Sequence, residues 1–137
     1  MKLKRLREEL SSPSFRGFYL ELRRRHEILL PFPTPLDLIA FFHSDSSAYE
    51  TRDAILRVLV KEYQDATPGR RLGTFFLVLF NPGIVRAYAT ARRKGLGLDP
   101  DDILNQIRLS LLETIKAIRP EEMSTKAASR VGERGRR

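Results

Sequence analysis

The sequence predicts an all-α protein, a compact multi-helix bundle with a basic segment at each end. Apolar residues recur with a helical period in 48–66 and again in 100–118. Residue pairs typical of helix starts, such as Ser-Pro, Asn-Pro and Asp-Pro, and glycines typical of helix ends divide the chain. One segment, 74–80, has the composition of a strand, but no other segment offers it an obvious partner. A chain of 137 residues has room for one core.

Composition narrows the classes of function. The chain has no cysteine, which excludes disulfides, thiolate metal sites and cysteine nucleophiles. His26 and His43 are far apart in sequence, so we expect no metal site and no cofactor. We also expect no enzymatic activity, because no nucleophile, base and orienting group occur at a recognisable spacing. The chain contains no secretory signal pattern and no long apolar run, so we expect a cytoplasmic protein.

The positive charge is concentrated at the two ends of the chain. The net charge is +8, of which residues 1–30 carry +4, residues 119–137 carry +3 and the residues between them only +1. We therefore predict a basic N-terminal arm (1–30), a helical domain (35–118) and a basic C-terminal tail (119–137), either ordered or disordered. Basic ends suit a phosphate backbone, but they also serve solubility alone, and both interpretations stay open.

The first third of the chain is ambiguous in secondary structure. Ser12 and Pro13 favour a helix after them, whereas alternation at Phe18, Leu20 and Leu22 allows a strand. The segment "PFPTP" at 31–35 should interrupt any regular element. After it, the apolar residues 36–42 predict one or two helical turns.

A helix of about twenty residues is predicted next. Ser47 and Glu50 form a capping-box pattern at its start. Its polar side should carry four charged residues, namely Arg52, Asp53, Arg57 and Lys61. Its buried face should be formed by the following residues: Ala48, Tyr49, Ile55, Leu56, Leu59, Val60, Tyr63 and Ala66.

The segment "TFFLVLF" at 74–80 is interpreted as a buried helix because of its flanks. Thr67-Pro68 and Asn81-Pro82 are each typical of a cap and first turn. A further helix over 82–94 should turn Ile84, Tyr88 and Ala91 inward. It ends in three basic residues, which suit the negative end of the helix and can also bind nucleic acid: Arg92, Arg93 and Lys94.

The join "GLGLDPDD" at 95–102 predicts the end of one helix and the start of another. Gly95 and Gly97 suit positive backbone φ angles, and Asp99 and Pro100 suit the cap and first position of a helix. Asp101 and Asp102 favour the first turn of that helix. A phosphate-binding loop is disfavoured, because no Lys-Ser/Thr pair follows the glycines and the acids would repel phosphate.

The last helix, 100–118, has one apolar face and, on its polar side, a single apolar residue. The apolar face consists of Ile103, Leu104, Ile107, Leu111, Ile115 and Ile118. Leu109 projects from nearly the opposite side, among the polar residues Asp102, Asn105, Gln106 and Glu113, with Leu112 at the rim. Such a residue is typical of a protein-binding patch. Alternatively, the N-terminal arm or a second copy of the chain covers it, and homo-oligomers stay open.

The segment "GLGLDPDDILNQIRLSLLETIKAI", 95–118, resembles region 2 of bacterial RNA polymerase sigma factors, which is helical. The Gly-Leu-Asp turn of that family matches Gly97, Leu98 and Asp99. The helix pattern that follows it is matched in register by Asp102, Ile103, Leu104, Asn105, Gln106, Leu109 and Leu111. The segment "FFLVLFNPGIVRAYATARRKG" is similar to the preceding helix pair, so the resemblance covers about 72–118.

This resemblance implies a partner and a face. The face bearing Asp102, Asn105, Gln106 and Leu109 would contact the clamp helices of the largest subunit of core RNA polymerase. The family usually has Gln-Glu where this chain has Asn105-Gln106. The aromatic residues with which sigma factors trap promoter bases have no counterpart, because no Phe, Tyr or Trp follows Tyr88. The resemblance therefore implies a reduced sigma-like module, a protein that binds core polymerase, or one half of a split factor.

DNA would then be contacted through phosphates by the basic cluster of the preceding helix and by the tail. The tail residues are Lys126, Arg130, Arg134, Arg136 and Arg137. The alternative hypothesis is a helical interaction or adaptor module without a role at the polymerase. Salt dependence separates a phosphate binder from an apolar protein contact.

Overall fold

A computed structural model describes residues 3–44, 48–66, 70–95 and 97–119. Within these ranges the protein is all-α, as predicted, and contains a short 3-10 turn at Glu27–Leu29. The α-helices are α1 (Leu3–Leu10), α2 (Pro13–Arg25), α3 (Pro35–His43), α4 (Tyr49–Asp65), α5 (Arg70–Leu79), α6 (Asn81–Arg93) and α7 (Pro100–Ala117).

Helix α5 lies at the centre of the bundle and packs against α1, α3, α4, α6 and α7. The predicted helix at "TFFLVLF" is confirmed, and Phe75 and Phe76 are among the most deeply buried side chains. A helix that is apolar on nearly all sides has no face suited to water, so the other helices must surround it. The position of α5 decides which faces of α4 and α7 remain outside.

The N-terminal segment belongs to the same core as the rest of the chain. Leu6 and Leu10 of α1 are buried in it. The carboxylate of Glu62 on α4 accepts a hydrogen bond from Arg25 (2.9 Å) and lies 2.7 Å from His26 Nε2, which joins the end of α2 to the bundle. The segment predicted as a separate arm therefore packs as two helices with the predicted domain. Charge alone did not reveal its apolar faces.

The ambiguity over residues 14–30 is resolved in favour of a helix. The Ser12 hydroxyl accepts a hydrogen bond from the backbone N–H of Phe15, and Pro13 occupies the first turn. Phe15, Tyr19 and Leu22 are buried, at the spacing of successive helical turns. Leu20 is exposed, so the apparent alternation does not correspond to a sheet face.

The segment "PFPTP" interrupts regular structure for a shorter distance than predicted. Thr34 and Asp37 form a capping box in which the Thr34 hydroxyl accepts from the backbone of Asp37 and the Asp37 carboxylate accepts from the backbone of Thr34. Pro35 lies in the first turn of α3, where its missing N–H leaves no helical bond unmade. The last proline of the segment therefore begins a helix.

The prediction that Arg52 points away from the core is wrong. Its side chain is only 6% exposed. A terminal guanidinium nitrogen donates to the carbonyl oxygen of Ser44 at 2.7 Å, and the guanidinium lies over the rings of Phe41 and Tyr49. A long aliphatic stem allows an arginine to cover apolar surface while its charged end reaches a helix C-terminus. Tyr49, which was assigned to the buried face, is instead exposed.

Helices α5 and α6 meet at a sharp bend of 70°. Helix α6 begins at Asn81, and Phe80 occupies the cap position without a capping side-chain bond, so the predicted Asn81 cap is wrong. Among the described residues, neither helix is by itself long and apolar enough to cross a membrane, although the bent pair reaches the required length and composition.

Several predicted features lie outside the described residues. These are the Ser47 side of the capping box, the Thr67-Pro68 helix start, and the basic tail residues Lys126, Arg130, Arg134, Arg136 and Arg137.

Candidate functional site: the outer face of the last helix

The join that leads into α7 has the predicted structure. Gly95 and Gly97 have positive φ angles of 59° and 68°, which residues other than glycine rarely adopt. The Asp99 carboxylate accepts a hydrogen bond of 2.8 Å from the backbone N–H of Asp101, and Pro100 begins the helix. The glycines and the cap together fix where α7 starts.

The rotation of α7 about its own axis is set by its contacts with α4. Ile103, Leu111 and Ile115 are buried, in agreement with the predicted apolar face. The Gln64 side-chain amide on α4 donates to the carbonyl oxygen of Ile115 at 2.9 Å. At the end of the helix, the Lys116 ammonium donates at 2.7 Å to the backbone carbonyl oxygen of Tyr63 in the last turns of α4 and lies over the ring of the same tyrosine. These bonds hold one side of α7 outward.

The outward side carries the residues that the sequence predicted for a partner. Leu109 is 51% exposed at the centre of this surface. Leu112 lies at the rim of this surface. It is half-buried because its side chain packs towards Gly73 of α5. The exposed polar residues around Leu109 are Asp102, Asn105, Gln106 and Glu113. We call these six residues the α7 outer face.

The predicted basic cluster lies at the end of α6, just before the turn that leads into α7. Arg92, Arg93 and Lys94 are exposed at the end of α6. Within the described residues they form no ion pair with the acids that begin α7. Their charge is therefore available to solvent or to a ligand. Helices α6 and α7 and the turn between them form a hairpin, which also exposes two apolar side chains, Val85 and Leu98.

Arg108 is a feature of α7 that the sequence analysis missed. Its side chain is 8% exposed, and its Nε is fully buried without a hydrogen-bond partner in the described ranges. Burial also lowers the pKa of this arginine from its ordinary value. The helical period could have indicated this position. Arg108 follows Ile103 by five residues, which places it about 140° around the helix axis from Ile103, at the margin of the apolar face.

The chemistry available at this face is that of binding. No group of three or more His, Asp or Glu side chains suited to a metal ion occurs in the part of the chain that the structure describes. Leu109 and Leu112 offer apolar contact, Asn105 and Gln106 offer hydrogen bonds, and the nearby charges offer orientation. Comparison of the chain with protein-family models, with curated proteins and with solved structures produced no match.

Proposed function

We propose that this protein is a sigma-factor-like transcription protein that binds core RNA polymerase through the α7 outer face. The observation that carries the proposal is the exposure of Leu109 in the middle of a polar helix surface. The opposite side of α7 packs against the core, and no residue in the part of the chain that the structure describes buries this leucine. An exposed apolar residue surrounded by hydrogen-bonding groups has the composition of a small protein interface.

The resemblance of 95–118 to sigma factor region 2 supplies the identity of the partner. It implies contact with the clamp helices of the largest polymerase subunit through Asp102, Asn105, Gln106 and Leu109, all of which are exposed. Arg92, Arg93 and Lys94 would approach the DNA backbone beside this contact, with phosphate as their ligand. Such a protein works in the cytoplasm and requires no cofactor.

The experiment is a binding assay between the full-length protein and purified core RNA polymerase from the same organism. Leu109→Arg places a charge at the centre of the α7 outer face and should weaken binding at least about tenfold. Leu20→Arg is the matched control, because Leu20 is 55% exposed on the unrelated helix α2. It should bind like the unchanged protein. Absence of binding by the unchanged protein, or equal binding by both variants, would contradict the proposal.

A second candidate function is a helical interaction module that pairs with its own copy. The exposure of Val85 and Leu98 on the same hairpin as Leu109 favours it. Sedimentation velocity separates the candidates. A dimer that Leu109→Arg converts to a monomer, together with no binding to polymerase, would favour the interaction module.

A further inference from the structure

Arg108 differs from the other described arginines that have an enclosed Nε atom. Among the described residues, three arginines have an Nε atom that is buried without a hydrogen-bond partner, namely Arg23, Arg52 and Arg108. In two of them a terminal nitrogen compensates by donating to a backbone carbonyl, that of Leu30 for Arg23 and that of Ser44 for Arg52. Arg108 makes no hydrogen bond and no ion pair with any described residue.

An unpaired guanidinium in this position is unfavourable for the isolated protein. Arginine does not lose its proton at physiological pH, so it cannot avoid burial of its charge as a lysine can. A buried charge is ordinarily paired, because the surroundings replace little of its lost hydration. Only the Nε of the guanidinium is wholly enclosed, so the terminal nitrogens still reach the surface. Their donors are available to a ligand that arrives from outside.

The surroundings of Arg108 indicate the kind of ligand. Asn105 lies one turn before it and Leu112 one turn after it on the same strip of α7, so Arg108 borders the α7 outer face. The planar fork of a guanidinium binds carboxylate and phosphate groups with two parallel hydrogen bonds. Either group would remove the unpaired charge.

The charges on the helix distinguish between these two ligands. Asp101, Asp102 and Glu113 are all exposed on α7. A nucleic acid backbone would bring many phosphates against these carboxylates, whereas a protein segment with one carboxylate brings a single negative charge. The exposed Leu109 also needs an apolar neighbour, which a phosphate backbone does not provide. Both observations favour a protein.

We propose that Arg108 is the anchor of a docking site for a protein segment that presents one Asp or Glu carboxylate between apolar side chains. The carboxylate accepts two hydrogen bonds from the terminal nitrogens of Arg108, and the apolar side chains cover Leu109 and the exposed edge of Leu112. This inference rests on the proposed function, because it specifies the chemistry of the partner at the same helix. It predicts that the polymerase segment bound here carries an essential acidic residue.

Arg108→Met tests the proposal through two measurements of opposite sign. The methionine keeps much of the length and removes the unpaired charge, so the urea midpoint of the full-length variant should equal or exceed that of the unchanged protein. Binding to core RNA polymerase should nevertheless fall at least about tenfold. Arg108→Lys keeps the charge but loses the fork, and should bind with intermediate affinity. Arg57→Met, which alters an exposed arginine of α4, is the control and should change neither quantity.

A second measurement keeps the inference separate from the identity of the partner. The Nε–H resonance of Arg108, identified by its loss in Arg108→Met, is followed by NMR in acetate, chloride and phosphate at constant ionic strength. It should shift more in acetate than in chloride. If the unchanged protein fails to bind polymerase, the proposed function is lost, and this shift alone decides the role of Arg108.

Three results would overturn the inference. The first is equal binding of polymerase by the unchanged protein and Arg108→Met, which would leave the proposed function intact. The second is a resonance of Arg108 that responds equally to acetate and chloride. The third is a response to phosphate without one to acetate, which would assign the site to a nucleic acid backbone.

Discussion

Replacement of glycine by alanine should have opposite effects at two places in this protein. Gly73 is buried in α5, where it faces α4 and α7. An added Cβ would lie 3.7 Å from Tyr63 Cε1 and 3.8 Å from Leu112 Cδ1, which is ordinary van der Waals contact. Gly97 is exposed and has a φ angle of +68°, and no atom of the described residues would lie within 4 Å of an added Cβ. Space therefore decides the first substitution and backbone conformation the second.

The magnitudes follow from these two environments. Gly73→Ala removes the helix penalty of glycine, about 1 kcal/mol, and buries one methyl group, worth about 0.8 kcal/mol. We expect the free energy of unfolding to rise by about 1 to 2 kcal/mol. Gly97→Ala forces a side chain into the left-handed region, and we expect the free energy of unfolding to fall by about 1 kcal/mol.

Urea unfolding of the full-length protein, followed by helical circular dichroism, measures both changes. The slope of free energy against urea should stay the same in the two variants, so that midpoints can be compared directly. Destabilisation by Gly73→Ala would refute the packing of α5 against α4 and α7 described above. An unchanged midpoint for Gly97→Ala would refute the geometry of the turn.

Two further predictions concern stability. Thr34→Ala removes the capping box of α3 and should lower the free energy of unfolding by about 1 kcal/mol, whereas Thr51→Ala, at an exposed site in α4, should not lower it; equal urea midpoints for both variants would contradict the cap. Burial raises the pKa of Tyr19 to about 12, and its hydroxyl donates to the carbonyl oxygen of Phe32 at 2.7 Å. The unfolded chain loses this proton near pH 10 while the folded protein keeps it, so stability should fall as the pH rises from 10 to 12. Tyr19→Phe should show a shallower fall in urea midpoints over that range, and an equally steep fall would contradict this origin.

Local chemistry determined much of α2 and α7. Ser12 and Pro13 begin α2, and Asp99 and Pro100 begin α7, because a side-chain oxygen can accept a backbone N–H of its own chain segment without help from elsewhere. Gly95 and Gly97 end the preceding helix for an equally local reason, the absence of a Cβ. The period of apolar residues in 100–118 also placed Leu109 outward, and the structure confirms its exposure.

Tertiary structure alone decided the placement of the charged residues Arg52 and Arg108. A helical pattern treats a charged residue as exposed, but the stem of an arginine is long enough to cover apolar surface. Arg52 is buried because the end of α3 offers it a carbonyl oxygen and two aromatic rings. Arg108 is buried, and no described residue offers it a comparable partner.

The position of the N-terminal segment was likewise decided by packing. Its positive charge is a property of the sequence, and it led us to expect an arm outside the domain. Leu6 and Leu10 instead lie in the core, and α1 packs against the central helix α5. Charge is counted residue by residue, whereas burial depends on which surfaces the other helices leave uncovered. The sequence by itself therefore determined where α7 begins and the outward direction of Leu109, because caps and helical period are local. Only the assembled bundle determined that the N-terminal segment joins the core and which cations remain available to a partner.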